Sequence, residues 1–363
     1  MTIQEICSLF DIGGQYIDCS ELGIGNINST YIIDFIRDGE QKQFCLQRIN
    51  KNAFKNPEQV MDNIVKVTNY VREKTIQKGL PSKRFVLRAF NALDGKPFVV
   101  DDNGDYWRCY RYIRNSVTYD STNDLNIIEN VGKAFGRFQN CLDGFSASEL
   151  YITIPNFHNT IKRFEDFHKA IEEDPFDRAK KVKVEIEKLL SFEERATKLQ
   201  RLCDSGDLPI RVTHNDTKCN NVSFDKDTNE ALAVLDLDTV MPGLIAHDYG
   251  DAIRFIANAV VEDCPDISKV KIDFNKYEAF TKGFLGEVNK SLTELEKQTL
   301  NLGVFTITVE LATRFLADYL NGDKYFKVKY PGHNVFRTKN QIALAEDFIK
   351  QEEKLNEILK KYL

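Results

Sequence analysis

Apolar positions change their period partway along the chain. Through the first hundred or so residues they alternate or run in short blocks. Tyr31-Ile32-Ile33-Asp34-Phe35-Ile36 and Gln43–Ile49 flank an Asp38-Gly39 turn, and Phe85–Phe90, Pro97–Val100 and Tyr106–Ile113 read as further strands. One helix interrupts them. Asn56-Pro57-Glu58 is a start signal, and Val60, Ile64, Val67 and Val71 follow at helical spacing. From Leu125 the spacing becomes helical throughout. Ile127, Ile128, Val131, Phe135, Phe138 and Leu142 form one stripe, and Ile342 to Leu359 stripe a long terminal helix. Residues 160–202 carry many charges around Phe164, Phe167 and Ile186, which predicts a pair of partly exposed amphipathic helices. A further helix is predicted around Ala252, Phe255 and Ile256, opened by Asp248 and Asp251, whose carboxylates suit a helix N-terminus; Asp248 could instead brace the 214–221 loop. The expectation is an α+β fold of two lobes: a β-rich lobe over 1–113 and a mainly helical lobe over 114–363.

Composition narrows the function classes. The chain has 363 residues, 42% hydrophobic and 29% charged, as a soluble globular protein has. Its formal net charge of −6, with no basic block, argues against a nucleic-acid partner. No apolar stretch reads as membrane-spanning, and Met-Thr-Ile-Gln-Glu-Ile-Cys lacks the basic and apolar regions of a signal peptide, so neither anchor nor export is expected. The eight Cys never fall as Cys-x-x-Cys, which points to small core residues in a reducing cytoplasm.

The chemistry concentrates at 214–236. His214-Asn215-Asp216-Thr217-Lys218-Cys219-Asn220-Asn221 is followed by a strand, a turn-rich Asp225–Asn229, and an apolar run ending in Asp236. Phosphoryl transfer needs a carboxylate to orient and deprotonate an acceptor hydroxyl, here Asp216. It also needs oxygen ligands for Mg²⁺, here the Asn221 amide and the Asp236 carboxylate. Asp and Asn are common in loops, so Asp216 alone would read as an ordinary turn residue; the three together, framed by two apolar strands, read as a kinase. Upstream, the Gly23–Thr30 segment reads as a plain hairpin turn by itself. In a kinase it is a phosphate loop, with Gly23, Gly25 and Asn28 bringing backbone N–H groups close and Ser29 and Thr30 adding donors. The end of the Tyr106–Ile113 strand, at Arg111 and Tyr112, is then the hinge that reads the adenine of ATP.

These motifs resemble the aminoglycoside and choline kinase group of the protein-kinase-like fold. Within it, the likeness is greatest to the N-acetylhexosamine 1-kinases. It extends to Gly25-x-Ile27-Asn28-x-Thr30-Tyr31, Leu46-Gln47, Met241-Pro242-Gly243, Gly250-Asp251-x-Ile253-Arg254-Phe255 and Arg314-Phe315-Leu316-Ala317-Asp318-Tyr319, nearly the whole chain. The resemblance implies transfer of the γ-phosphate of ATP to the anomeric hydroxyl of a hexosamine. Asp216 would be the base, Asn221 and Asp236 the Mg²⁺ ligands, and Arg314 and Tyr325 the sugar contacts. Asn26 stands where that group carries His near the sugar, a departure that bears on which hexosamine is preferred. The strand position of the phosphate-pairing Lys of protein kinases falls on Gln47. Alternation puts Gln47 on the face of Cys45 and Arg48 on the opposite one, so the strand cation stays open between them.

Glu310, Arg314 and Asp318 recur every four residues, one polar stripe on a helix. The stripe reads either as a solvated ion-pair ladder or as a sugar-binding face in which Arg314 meets a ring hydroxyl. His214 reads as a packing and hydrogen-bonding support for the 214–221 loop, and His247 and His333 as surface or structural residues. Two other functions fit the same residues: a kinase for another small hydroxyl compound (another sugar, an amino alcohol or an aminoglycoside), and a non-catalytic kinase-like binder of sugar or nucleotide. The expected partners are a small-molecule sugar and ATP, with no nucleic acid and no membrane; oligomeric state is not legible.

Overall fold

The computed structural model describes every residue except Gly25, Asn26 and Pro265. The chain forms two compact units. The first is Met1–Thr118 with Cys141–Pro155 and Val222–Pro242; the second is Tyr119–Asn140, Asn156–Asn221 and Gly243–Leu363.

Among the described residues, the first unit holds a six-stranded sheet. Its strands are β1 (Gln15–Ile24), β2 (Ser29–Arg37), β3 (Glu40–Arg48), β4 (Ala89–Phe90), β5 (Val99–Val100) and β6 (Tyr106–Arg111). The order is β1-β2-β3-β6-β4, with β5 also on β6, and every pairing is antiparallel. Alternation divides its two faces. Ile33, Phe35, Phe44, Leu46, Trp107 and Cys109 bury one face together with Ile6 and Phe10 of the N-terminal segment. Edge-to-face contacts of Phe44 with Phe35 (5.6 Å) and Phe90 (5.3 Å) tie three strands together there. The other face carries Thr30, Ile32, Cys45, Gln47, Arg108 and Tyr110. The expected strand over Phe85–Phe90 shrinks to Ala89–Phe90, because Ser82–Phe85 closes into a single helical turn after Pro81. A smaller sheet joins Ser116–Val117, Val222–Asp225 and Ala231–Val234. The last two form the hairpin expected from the 225–229 turn, where Asp225 accepts from the N–H groups of Asp227 and Thr228.

The second unit is helical. Its central helix, Glu294–Leu320, begins with a capping box in which Thr293 accepts from Glu296 N–H and Glu296 accepts from Thr293 N–H. This helix corrects the expectation that no stretch is membrane-like: it is long and apolar enough to cross a bilayer, but 78% of its most apolar window is buried inside the protein. Surrounded by the Ile245–Ile256, Thr160–Glu173, Lys183–Ala196 and His333–Lys360 helices, it is apolar on most sides because it is core. Its crossing with Ile245–Ile256 is close enough that a Cβ at Gly250 or Gly303 would collide with the facing backbone.

Candidate active site

In the first unit, strand register lays down the site. Thr30, Gln47 and Arg108 face one another across β2, β3 and β6, and two residues along the strands Ile32, Cys45 and Tyr110 do the same. One row is polar and the next largely apolar, roughly 7 Å apart at the usual strand rise. Both rows line a cavity of about 330 Å³, closed by Leu22, Leu87, Arg111, Tyr112, Ile113, Leu235, Asp236 and Leu237. The volume is at the small end of cofactor and ligand sites. Asp236 follows the second hairpin strand with a left-handed backbone (φ 52), a conformation Asp tolerates better than most residues.

Neither Gln47 nor Arg48 puts a cation on the polar row. Arg48 lies on the opposite face, bridging to Asp105 and Ser29 over the Trp107 ring. Arg108, directly across from Gln47, is the cation on that row. It is 1% exposed, its Nε donates to Gln47 Oε1 (3.0 Å), and its Nη1 pairs with Asp238. No described residue accepts from its Nη2. Gln47 in turn donates to Thr30 Oγ1 (3.0 Å), and Asn28 donates to Asp238 Oδ2 (2.6 Å) while accepting from Asn50 N–H (2.9 Å). Burial works against the guanidinium charge, but Asp238 and, more weakly, Asp236 outweigh it and hold the Arg108 pKa above its ordinary value.

Of the residues expected to meet nucleotide, Thr30, Arg111 and Tyr112 line the cavity. Asn28 instead secures Asp238, Ser29 accepts from Arg48, and Gly23 lies in the last turnward residues of β1. Gly25 and Asn26 are outside the described residues.

The second unit carries the 214–221 loop, fixed from beneath by the Ile245–Ile256 helix. Asp248 accepts from the N–H groups of His214 (2.9 Å) and Asn215 (2.7 Å) and from Gln139 Nε2 (2.7 Å); burial pushes its pKa up. Asp251 accepts from Thr217 N–H (3.2 Å) and from Arg254, and Thr217 Oγ1 donates to the Asp248 carbonyl. Asp248 thus braces the loop, the second of the two roles open to it in the sequence, and Asp251, beyond the first turn, does the same. His214 is fully buried against Phe135, and its Nδ1 accepts from Asp216 N–H.

Asp216 is held at both oxygens. Lys218 Nζ lies 2.6 Å from Oδ1, and Asn221 Nδ2 donates to Oδ2 (3.0 Å) and to the Asp216 carbonyl (2.8 Å). Burial disfavours the Lys218 charge, yet Asp216 and Asp251 outweigh it and raise the Lys218 pKa. With both its donor contacts on Asp216, the Asn221 amide turns its oxygen the other way, the atom a hard cation takes. Among the described residues no group of three or more His, Cys, Asp or Glu is placed to hold a metal by itself. Cys219 is buried, its thiol pushed up to about 12 by desolvation, and so is no nucleophile at neutral pH.

The 310–318 stripe is not a ladder. Arg314 and Glu310 approach only to 4.0 Å, and Asp318 turns away to accept from the N–H groups of Lys324, Tyr325 and Phe326. Glu310 pairs with His158 (3.0 Å), whose other ring nitrogen meets the Asn215 carbonyl (3.3 Å). Burial lowers and Glu310 more than restores the His158 pKa, which ends above its ordinary value; the adjacent His247 is pushed by burial down to about 3. Arg314 donates to Tyr325 Oη (3.4 Å), its guanidinium 5.6–5.7 Å from the rings of Phe157, Tyr325 and Phe326. Arg108, Asp238, Lys218 and His158 take up these positions without a sequence pattern that singles them out. Only the position of Asp238, two residues after Asp236, and that of Lys218, two after Asp216, were visible signals.

A family model described as APH, phosphotransferase enzyme family, matches residues 18–265, more than half the chain. Among solved structures, an aminoglycoside phosphotransferase from Alicyclobacillus acidocaldarius is similar over 99% of this chain and 97% of its own, at TM-score 0.65 and 12% identity. A spectinomycin phosphotransferase in complex with ADP and spectinomycin is similar over 94% of this chain and 95% of its own (TM-score 0.56, 13% identity). A choline kinase from Cryptosporidium parvum is similar over 99% and 97% (TM-score 0.55, 12% identity). At these identities the structures speak for the fold, which is protein-kinase-like, and the family match speaks for descent. The chain therefore belongs to the APH phosphotransferase enzyme family.

Proposed function

We propose that the protein transfers the γ-phosphoryl group of ATP to the anomeric hydroxyl of an N-acetylhexosamine, N-acetylglucosamine or N-acetylgalactosamine. Asp216 takes the proton of the acceptor hydroxyl. Lys218 and Asn221 hold its carboxylate in one orientation, so a reacting hydroxyl finds an acceptor that does not have to reorganise. Asn221 and Asp236 would be the oxygen ligands for Mg²⁺, which when bound would offset the charge of the phosphates. Arg108 supplies the strand cation for the phosphates, with Asp238 as its partner, and the apolar row and the Arg111–Tyr112 backbone receive the base. The nucleotide in the similar spectinomycin phosphotransferase supports a purine nucleotide as donor.

One observation carries the acceptor half. Arg314 presents a guanidinium among three aromatic rings and shares a hydrogen bond with Tyr325. A fixed cation with spare N–H donors suits the hydroxyl and amide oxygens of a neutral sugar and repels a quaternary ammonium or an aminoglycoside. The test is ATP consumption with a panel of N-acetylhexosamines, other sugars, choline, ethanolamine and aminoglycosides, followed by ³¹P NMR of the product. Turnover with an N-acetylhexosamine and phosphate on C1 is expected. Turnover only with the amines, or phosphate on C6, would overturn the acceptor half while leaving the phosphotransferase.

A further inference from the structure

The first unit contains a second cavity, about 1030 Å³, at the upper end of the size of small-ligand sites. Seven cationic side chains line it against two carboxylates, Asp11 and Asp38, in a protein whose formal net charge is −6. Two of the seven are satisfied locally: Arg37 by the Ile12 carbonyl and Asp38, Lys42 by Glu40. The other five, Arg72, Lys83, Arg88, Arg111 and Arg114, form no ion pair with any described carboxylate. Surface cations usually scatter among acids, so five unpaired ones converging on one concavity is a charge arrangement that asks for an anion.

Three of the five come close together from separate elements. Arg72 is on the Pro57–Gln77 helix, Arg88 immediately precedes β4, and Arg111 ends β6; the Arg111 N–H donates to the Arg88 carbonyl (2.9 Å), fixing those two together. Their mutual repulsion falls on Arg111. Burial first, and then the charges of Arg88 and Arg72, lower the pKa of its guanidinium. Arg111, Tyr112 and Leu87 also line the smaller cavity that holds Asp236, so the two cavities share a wall.

We propose that this basic cavity is a binding site for a polyphosphate group, separate from the cavity lined by Asp236. Guanidinium forks match phosphate oxygens two at a time, and linked phosphates reach cations on several elements as a single phosphate does not. A nucleic acid is a poorer fit, because the cations sit in a concavity and the protein as a whole is acidic. Binding here does not depend on the acceptor assigned above. The group is either a free inorganic chain or the tail of a nucleotide.

The test is isothermal titration of the full-length protein with sodium tripolyphosphate at low salt. The variants are R72Q/R88Q and R72K/R88K, at positions that do not line the smaller cavity. The Gln pair should weaken tripolyphosphate binding by about tenfold or more, since each lost charge-assisted bond is worth roughly that, and the Lys pair should keep most of the affinity. ATP stoichiometry separates the sources. Two ATP per wild-type chain and one per R72Q/R88Q chain identifies a nucleotide tail. One ATP in both, with tripolyphosphate still binding beside it, identifies an inorganic chain. Tripolyphosphate affinity unchanged in R72Q/R88Q, or equal losses in the Gln and Lys pairs, would overturn the proposal.

Discussion

Replacing Arg108 with Met separates stability from phosphate binding. Arg108 and Asp238 are 1% and 3% exposed and pair directly, so the variant strands a buried carboxylate whose other contact is the Asn28 amide. Removing one partner of a buried pair costs about 3–5 kcal/mol. The Gln47 oxygen also loses its donor, a further ~1 kcal/mol. Adding Asp238→Asn removes the stranded charge, and the double variant should recover most of the loss, sitting about 1–2 kcal/mol below wild type. The chain's single tryptophan, Trp107, is buried in β6 beside Arg108 and hydrogen-bonded to Asp101. Urea melts followed by its fluorescence therefore report this unit. ADP binding should behave differently. Neither R108M nor R108M/D238N has a cation on that row, so both should bind Mg²⁺·ADP about tenfold or more weaker while adenosine binding stays near wild type. Gln47→Lys in the double variant returns a charge to the facing register position and should restore part of the ADP affinity. Equal ADP affinity in wild type and the double variant would refute the phosphate role. An R108M variant within 1 kcal/mol of wild type would refute the cost assigned to stranding a buried Asp238 carboxylate.

Asp216→Asn should lower turnover by roughly 10²–10⁴, the usual worth of general-base catalysis, with ADP affinity unchanged by titration; near-normal turnover would remove Asp216 from the chemistry. Arg314→Ala should raise the KM for sugar by an amount equivalent to about 1.5–3 kcal/mol and leave that for ATP alone, in steady-state kinetics with each substrate varied. His158 predicts a pH dependence. Its folded pKa is raised, so its pairing with Glu310 stabilises the fold fully below the unfolded histidine pKa of about 6.5 and fades as pH rises through the higher folded value. The stability gap between wild type and His158→Gln in urea melts should therefore be widest near pH 5–6 and narrow toward alkaline pH; a gap that widens with pH contradicts the pairing.

Much of this protein was legible along the chain because it is local. The switch from strand to helical periodicity near residue 125, the 222–234 hairpin around its Asp-rich turn, and the spacing of Asp216, Asn221 and Asp236 all follow from neighbours within a few residues. Contacts between distant segments were not legible. The cation on the polar row is Arg108 because antiparallel register sets it against Gln47, 61 positions away, and that register depends on which face of the whole sheet is buried. Asp248 reads equally well as a dipole partner of its own helix, and Asp251 reads as that alone. The Gly250–Gly303 approach brings that helix tight against the Glu294–Leu320 helix, and in the folded unit the two carboxylates accept from the loop's N–H groups. Likewise, the every-fourth-residue stripe of Glu310, Arg314 and Asp318 established only that they share a helix face. Which of them meets His158, which meets Tyr325 and which caps the following loop was settled by the segments that pack there. A sequence fixes periodicity and chemistry residue by residue, whereas the partner of a buried charge is chosen by whichever distant group can reach it once water has been excluded.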